Sequence, residues 1–271
     1  MEILDDLIDE QDALGQIMEP LDDDAWRLDT PSPGWTVAHQ IAHLAYFDRA
    51  GAQAIADPEG FSAQRDALVE RAMQGESLDD LTITGVVTAS PAEILADWSD
   101  ARQTLATAAG GAVDGDRFEW FGPSMSARSF LTARLMEVWA HGQDIIDALD
   151  DAGVAHATRE PTDRLRHIAH LGYVTRGWSY AVRGVDAPAG EVRVVLDAPD
   201  ASTWTWGPED AAASIAGPAV EFCAVVTQRR HVADTTLSVT GDEATDWMNN
   251  AQAFAGGATT GPPPGSRPPL H

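Results

Sequence analysis

The chain of 271 residues contains no lysine, and all 17 of its basic residues are arginine. That absence excludes a Schiff-base lysine and the lysine of a phosphate-binding P-loop. There is a single cysteine, Cys223, so an intramolecular disulfide and a multi-cysteine zinc site are excluded as well. No apolar run approaches the ~18–20 residues needed to span a bilayer. The start, MEILDDLIDE, lacks the basic residues and apolar stretch of a secretory signal, and a cytoplasmic location is expected. Positive charge is scarce: 43 acidic residues leave a formal net charge of −26. Such a surface repels phosphate backbones and anionic lipid, which argues against nucleic-acid or membrane partners. Arginine in place of lysine suits a GC-rich genome, and the acidic surface suits a salt-adapted cytoplasm.

What is present is enough apolar material for a core, 44% of residues. Helical spacing governs the first half. Ile3, Leu4, Leu7, Ile8, Leu14 and Ile17 mark one helix within residues 1–19. Thr36 is placed to cap a second, Val37 to about Ala56, ended by Pro58. A third is expected over 61–76. Ser90-Pro91-Ala92-Glu93 is a capping box with proline at the first helical position, opening a helix to about Ala109. A long helix from about Ala127 to Leu149 is stopped near Gly153. Four or five helices with short links predict a bundle.

The second half changes character. One helix is expected over 162–183, strands at 192–196, 203–206 and 236–240, and helices from Gly217-Pro218 to about Gln228 and from Asp242 to Ala255. The fold class is therefore α+β. The expected organisation is a helical bundle over 1–153, a small α+β domain over 154–256 and a mobile Pro/Gly-rich tail over 257–271.

Chemistry concentrates on two helices of the bundle. His39 and His43 are four apart on the second, and Glu137 and His141 are four apart on the long one. Four residues turn a helix by about 400°, so each pair lies on nearly one face. Glu and His so placed can offer a carboxylate and an imidazole to one ion, with His43 or His39 supplying a third ligand. Two His and one carboxylate leave positions open, a pattern for catalytic zinc or for iron. An isolated E-x-x-x-H is as readily an intrahelical ion pair. Glu137, however, lies inside the apolar stretch Leu135-Met136-Glu137-Val138-Trp139-Ala140, where a buried carboxylate needs a partner.

The run Gly34-Trp35-Thr36-Val37-Ala38-His39-Gln40-Ile41-Ala42-His43-Leu44 resembles the W-[ST]-V-x-x-x-x-A-H-L pattern of DinB-like metal-binding four-helix bundles. Arg134-Leu135-Met136-Glu137-Val138-Trp139-Ala140-His141-Gly142-Gln143-Asp144-Ile145 is similar to the second metal motif of the mycothiol-dependent maleylpyruvate isomerase branch. The resemblance implies the metal ligands His43, Glu137 and His141, a divalent ion that is usually zinc, and a small thiol cofactor such as mycothiol. It implies a thiol-dependent isomerase or transferase acting on a small electrophilic substrate. The C-terminal half, with Trp206-Gly207-Pro208-Glu209-Asp210-Ala211 and Ala251-Gln252-Ala253-Phe254-Ala255-Gly256, resembles an appended α+β domain related to sterol-carrier folds. The alternative is a non-catalytic protein that binds a metal or a small apolar ligand.

Other residues are weighed beside these. Asp144, three after His141, is placed to accept from a ligating imidazole N–H. Arg134 could pair with Glu137, orient it or face solvent. Arg229-Arg230-His231 is the one dense basic cluster, either an anion site for substrate or cofactor or cations favoured at a helix C-terminus. Cys223, in the apolar Val220-Glu221-Phe222-Cys223-Ala224-Val225-Val226, reads as an inert thiol. Trp35 and Trp139 flank the motifs and are expected to wall the site. Nothing in the sequence sets the oligomeric state.

Overall fold

The computed structural model of the chain describes residues 1–83 and 89–270. It divides into two compact units, Met1–Arg159 and Glu160–His271. In the first unit α1 (Glu2–Met18) leads through a 3-10 turn to α2 (Val37–Ala56), α3 (Pro58–Met73), α4 (Leu78–Ile83) and α5 (Pro91–Ala109). A two-stranded hairpin, β1 (Arg117–Phe118) and β2 (Met125–Ser126), precedes the long α6 (Ala127–Ala152).

The long helices α1, α2, α5 and α6 close a four-membered ring, because α1 packs on α6 and α5, and α2 packs on the same two. Their apolar stripes meet inside it: Ile3, Leu7, Leu14 and Ile17 of α1, Ile41 and Leu44 of α2, Trp98 and Leu105 of α5, Leu131, Leu135 and Val138 of α6, all buried. Burial of such side chains is worth ~1.5–3 kcal/mol each before conformational entropy is charged against it. Close approach is local: a Cβ at Gly51 would lie 3.3 Å from both Leu105 Cδ1 and Phe130 Cζ. The ends follow the cap chemistry. Ser90 Oγ accepts from Glu93 N at 3.3 Å while Glu93 Oε2 accepts from Ser90 N at 2.8 Å. At the other end of the unit, Gly153 terminates α6 in the left-handed region at φ 66°. Pro58 does more than end α2: Asp57 accepts from Gly60 N and caps α3, which starts at Pro58 rather than at residue 61. The short α4 and the hairpin were not expected from the sequence.

The second unit holds α7 (Leu165–Val174), α8 (Arg176–Ala181), β3 (Val192–Asp197), β4 (Thr203–Trp206), β5 (Ala213–Pro218), α9 (Ala219–Val226), β6 (Ser238–Thr240) and α10 (Asp242–Asn250). The sheet order is β4-β3-β5-β6, with β3 and β5 parallel and the outer pairs antiparallel. Val192, Val194 and Leu196 alternate inward from the central β3. The single helix expected over 162–183 is two, broken at Thr175, whose hydroxyl donates back to Leu171 O at 2.7 Å. The last helix stops at Asn250, short of Ala255. Gly172 lets α7 and α9 approach, since a Cβ there would lie 2.8 Å from Val226 Cγ2.

The Pro/Gly-rich segment after residue 256 is hydrogen bonded to this unit at several points. Gln228 Nε2 donates to Thr259 O at 3.1 Å, and Arg230 Nε donates to Pro268 O at 2.8 Å. Gly265 N donates to Asp234 at 2.6 Å. Among the described residues no helix is long and apolar enough to cross a membrane.

Candidate metal centre

The polar groups of α2 and α6 face one another along two stripes inside the bundle. Gln40, His43 and Phe47 are i, i+3 and i+7 on α2, and Arg134, Glu137, His141 and Asp144 are i, i+3, i+7 and i+10 on α6. The helical pattern and the packing of α2 on α6 therefore bring the two motifs together. His43 Nε2 lies 3.4 Å from Glu137 Oε2, and His141 Nε2 lies 3.1 Å from the same oxygen. The three donor atoms all fall within 4.8 Å of one another.

Those spacings can be compared with what an ion demands. Metal–ligand bonds of about 2.0–2.2 Å set tetrahedral donors about 3.3–3.6 Å apart, and the two nitrogen–oxygen separations, 3.4 and 3.1 Å, lie near that range. The donor set, two imidazole nitrogens and one carboxylate oxygen, leaves at least one position for a water or substrate atom. The site is also reachable, with 17% of the His43 side chain and 22% of the Glu137 side chain exposed. These residues fit a divalent cation.

Electrostatics favour neutral imidazole beside a carboxylate. Burial, with the neighbouring His141, lowers the His43 pKa to about 4, against the opposing pull of Glu137. Burial pushes the Glu137 carboxyl up, yet its contacts to His141 and His43 outweigh that and hold it well below the usual carboxylate range. Neutral His and ionised Glu are the forms that ligate metal.

Aromatic rings line the site. Trp35 stacks on His141 with centroids 5.9 Å apart and tilts against His43 at 5.0 Å. Phe47 packs on His43 at 4.5 Å and in turn meets Trp120 and Phe121 from the β1–β2 hairpin. Trp139, by contrast, is turned by two residues from Glu137 and lies under the Arg159 guanidinium, 5.3 Å from its ring.

His39 is occupied elsewhere: its Nδ1 accepts from Thr36 N at 3.1 Å and sits 2.7 Å from Thr36 Oγ1, completing the cap of α2. The imidazole N–H of His141 does not rely on Asp144. His141 Nδ1 is 2.5 Å from Gln40 Oε1, and Asp144 accepts from Ser32 Oγ at 2.9 Å and from Gln40 Nε2 at 3.5 Å. Gln40 was not anticipated from the sequence, although it lies on the same stripe as His43. Arg134 neither pairs with Glu137 nor faces solvent. It is 3% exposed, and its Nε donates to Asp48 Oδ1 at 3.3 Å.

In the second unit Arg229 Nη1 donates to Thr227 O at 2.6 Å and Arg230 Nη1 to Arg229 O at 2.8 Å, so both guanidiniums serve carbonyls just beyond α9. Cys223 is fully buried, its Sγ is 3.5 Å from Leu165 O, and burial pushes its thiol pKa far up. Native protein is therefore expected to resist a disulfide-exchange reagent for hours, while denatured protein reacts at one thiol per chain. Rapid labelling of native protein would contradict the inert-thiol assignment.

The sequence model of the family described as "Mycothiol maleylpyruvate isomerase N-terminal domain" matches residues 7–146. A second, described as "Wyosine base formation", matches residues 188–239. Two uncharacterized proteins of Mycobacterium tuberculosis, from strains CDC 1551 and H37Rv, are each 43% identical over 251 residues, 93% of this chain and 94% of the relative. Among solved structures, the mycothiol-dependent maleylpyruvate isomerase is similar at 19% identity and a TM-score of 0.53. That alignment covers 84% of this chain and 88% of the isomerase, and a single-site variant of the isomerase aligns equally well. At such identity the likeness establishes the fold.

Proposed function

We propose, on the premise that the chain belongs to the mycothiol maleylpyruvate isomerase N-terminal domain family, that it is a metal-dependent enzyme using a small thiol on an electrophilic substrate. His43, Glu137 and His141 would hold the ion, with zinc the first metal to try on two nitrogens and one oxygen. The observation that carries this reading is the convergence of two imidazole nitrogens on one carboxylate oxygen at a reachable point of the bundle. When bound, the ion supplies a Lewis-acidic position that favours the thiolate form of an incoming thiol.

The chain's own residues account for the remaining roles. Trp35 and Phe47 present apolar ring faces beside the ligands, which excludes water and suits the carbon skeleton of a small electrophile. Glu137 and neutral His43 keep net charge at the site low enough to accept an anionic sulfur once the cation is present. The buried Cys223 offers no nucleophile, which favours a thiol brought from outside. The structurally similar isomerase is named for mycothiol and maleylpyruvate, and these are the first thiol and substrate to try.

The test is turnover by zinc-loaded protein with mycothiol and either maleylpyruvate or a chromogenic electrophile. Isomerisation or thiol consumption should exceed the uncatalysed rate and fall to it in His141→Ala. A zinc-loaded parent no faster than buffer with both substrates would overturn the enzymatic reading.

A further inference from the structure

We infer that Gln40 is a positioning residue that fixes His141 in the tautomer able to ligate metal. This rests on the proposed metal reading. Gln40 is fully buried, one turn before His43 on α2. A buried amide must match each neighbour with the correct end. Thr30 Oγ1 donates to Trp35 O at 2.9 Å, so that hydroxyl is left as an acceptor, and Gln40 Nε2 donates to it at 2.8 Å. Asp144 is a second acceptor facing the same amide nitrogen, at 3.5 Å. Two neighbours therefore require NH₂ on that side, and the Gln40 carbonyl oxygen faces His141 Nδ1.

A carbonyl accepts and cannot donate, so the His141 proton belongs on Nδ1. Its Nε2 is then a bare lone pair aimed at Glu137 Oε2, 3.1 Å away. With an ion bound that lone pair is the ligand; without one, Nδ1 and the Nε2–Glu137 contact compete for the ring proton, and Gln40 pulls the balance toward Nδ1. The rival state moves the proton to Nε2, where it would bond Glu137 and block the ligating atom. Gln40 disfavours that state, because Nδ1 would then set its own lone pair against Oε1. The short chain Trp35 O, Thr30, Gln40, His141 thus holds one donor of the site open. Outer partners of this kind are typically worth ~10–100-fold in metal affinity.

The experiment uses the full chain, freed of metal by chelation, and reads two quantities. Nitrogen NMR of the imidazoles at neutral pH reports the His141 tautomer. Competition against a chromophoric chelator reports zinc affinity. In the parent, His141 should carry its proton on Nδ1. In Gln40→Met, which keeps the size and removes the acceptor, the proton should move to Nε2 and zinc affinity should fall ~10–100-fold. Thr30→Val removes the acceptor that orients the amide and should move both readings the same way, by less. It covers the case in which Gln40→Met does not fold.

An Nε2-protonated His141 in the metal-free parent would overturn the inference, as would variants that leave tautomer and affinity unchanged. Failure of the metal reading shows differently: a parent that binds no zinc, whatever its tautomer. A folding role alone would lower melting temperature without moving the tautomer, and that result also counts against it.

Discussion

Zinc-loaded and desalted parent protein is expected to retain close to one ion per chain, and the His43→Ala, Glu137→Ala double variant close to none. The argument is one of ligand count. Three donors lie within 4.8 Å of one another, and the double variant leaves His141 alone. A single neutral imidazole competes poorly with buffer and chelator, whereas three convergent donors form a chelate. His39→Ala is the paired control. His39 is committed to the cap at Thr36, so its loss should cost about 0.5–2 kcal/mol of stability and no metal. Binding should also show in unfolding. Free zinc at about 1,000 times Kd stabilises the folded state by about 4 kcal/mol. For a domain of this size that raises Tm by roughly 10 °C, and the double variant should show no such rise. A parent that keeps no zinc would leave His43, Glu137 and His141 as a polar cluster in the bundle core.

How much of this was legible depended on the range of the interaction concerned. Local signals read well. The Ser90–Glu93 box, Gly153 and the β-branched alternation at 192–196 each act within a few residues, and each lies at the boundary or face it implied. β5 gave no such signal. Its sequence, Ala213-Ser214-Ile215-Ala216-Gly217-Pro218, holds one β-branched apolar residue, and it becomes a strand because β3 pairs along its full length. The break at Thr175 has no local mark of this kind: its hydroxyl bonds the carbonyl one turn back, as Thr104 and Thr107 do inside the unbroken α5.

The site divides the same way. Spacing brought Glu137 and His141 to one face, and the W-T-V run distinguished His43 from His39. Asp144 shares the face of His141 on α6, yet the structure sets Gln40 against the His141 Nδ1 and Ser32 against Asp144. Side chains on a helix lean toward its N-terminus, so His141 reaches back to Glu137, and its other nitrogen meets the facing helix at Gln40. An amide between two histidines carries no mark of that role in sequence. Its stripe does: Gln40, His43 and Phe47 follow the spacing of the opposing ligands.

Arg134→Met is expected to cost about 3–5 kcal/mol of folding stability, far more than the loss of one exposed arginine would. Asp48 is fully buried, and its carboxylate is met by Arg134 Nε at 3.3 Å and Gln11 Nε2 at 2.9 Å, with the Trp98 side chain a further stabilising neighbour. Burial already pushes the Asp48 carboxyl up, and the Arg134 charge is the largest influence holding it down. Without the guanidinium the carboxyl must stay charged with only neutral donors beside it or take up a proton. The sign of the pH dependence follows. A carboxyl whose folded pKa lies above its unfolded value binds protons more tightly when folded, so stability falls as pH rises between the two values. The deficit of Arg134→Met should therefore be larger at pH 8 than at pH 5.

The double variant Asp48→Leu, Arg134→Met removes both charges and refills the space with apolar groups, and it should recover most of the loss. Phe47 beneath the guanidinium, 5.8 Å from its centre, keeps a packing partner in the methionine. Urea unfolding of the four proteins at both pH values measures the coupling. Losses that simply add, with no dependence on pH, would mean that Asp48 does not depend on Arg134. Strong coupling would identify the turn of α6 before Glu137 as held by charge pairing across the bundle, one rung from the candidate metal ligands.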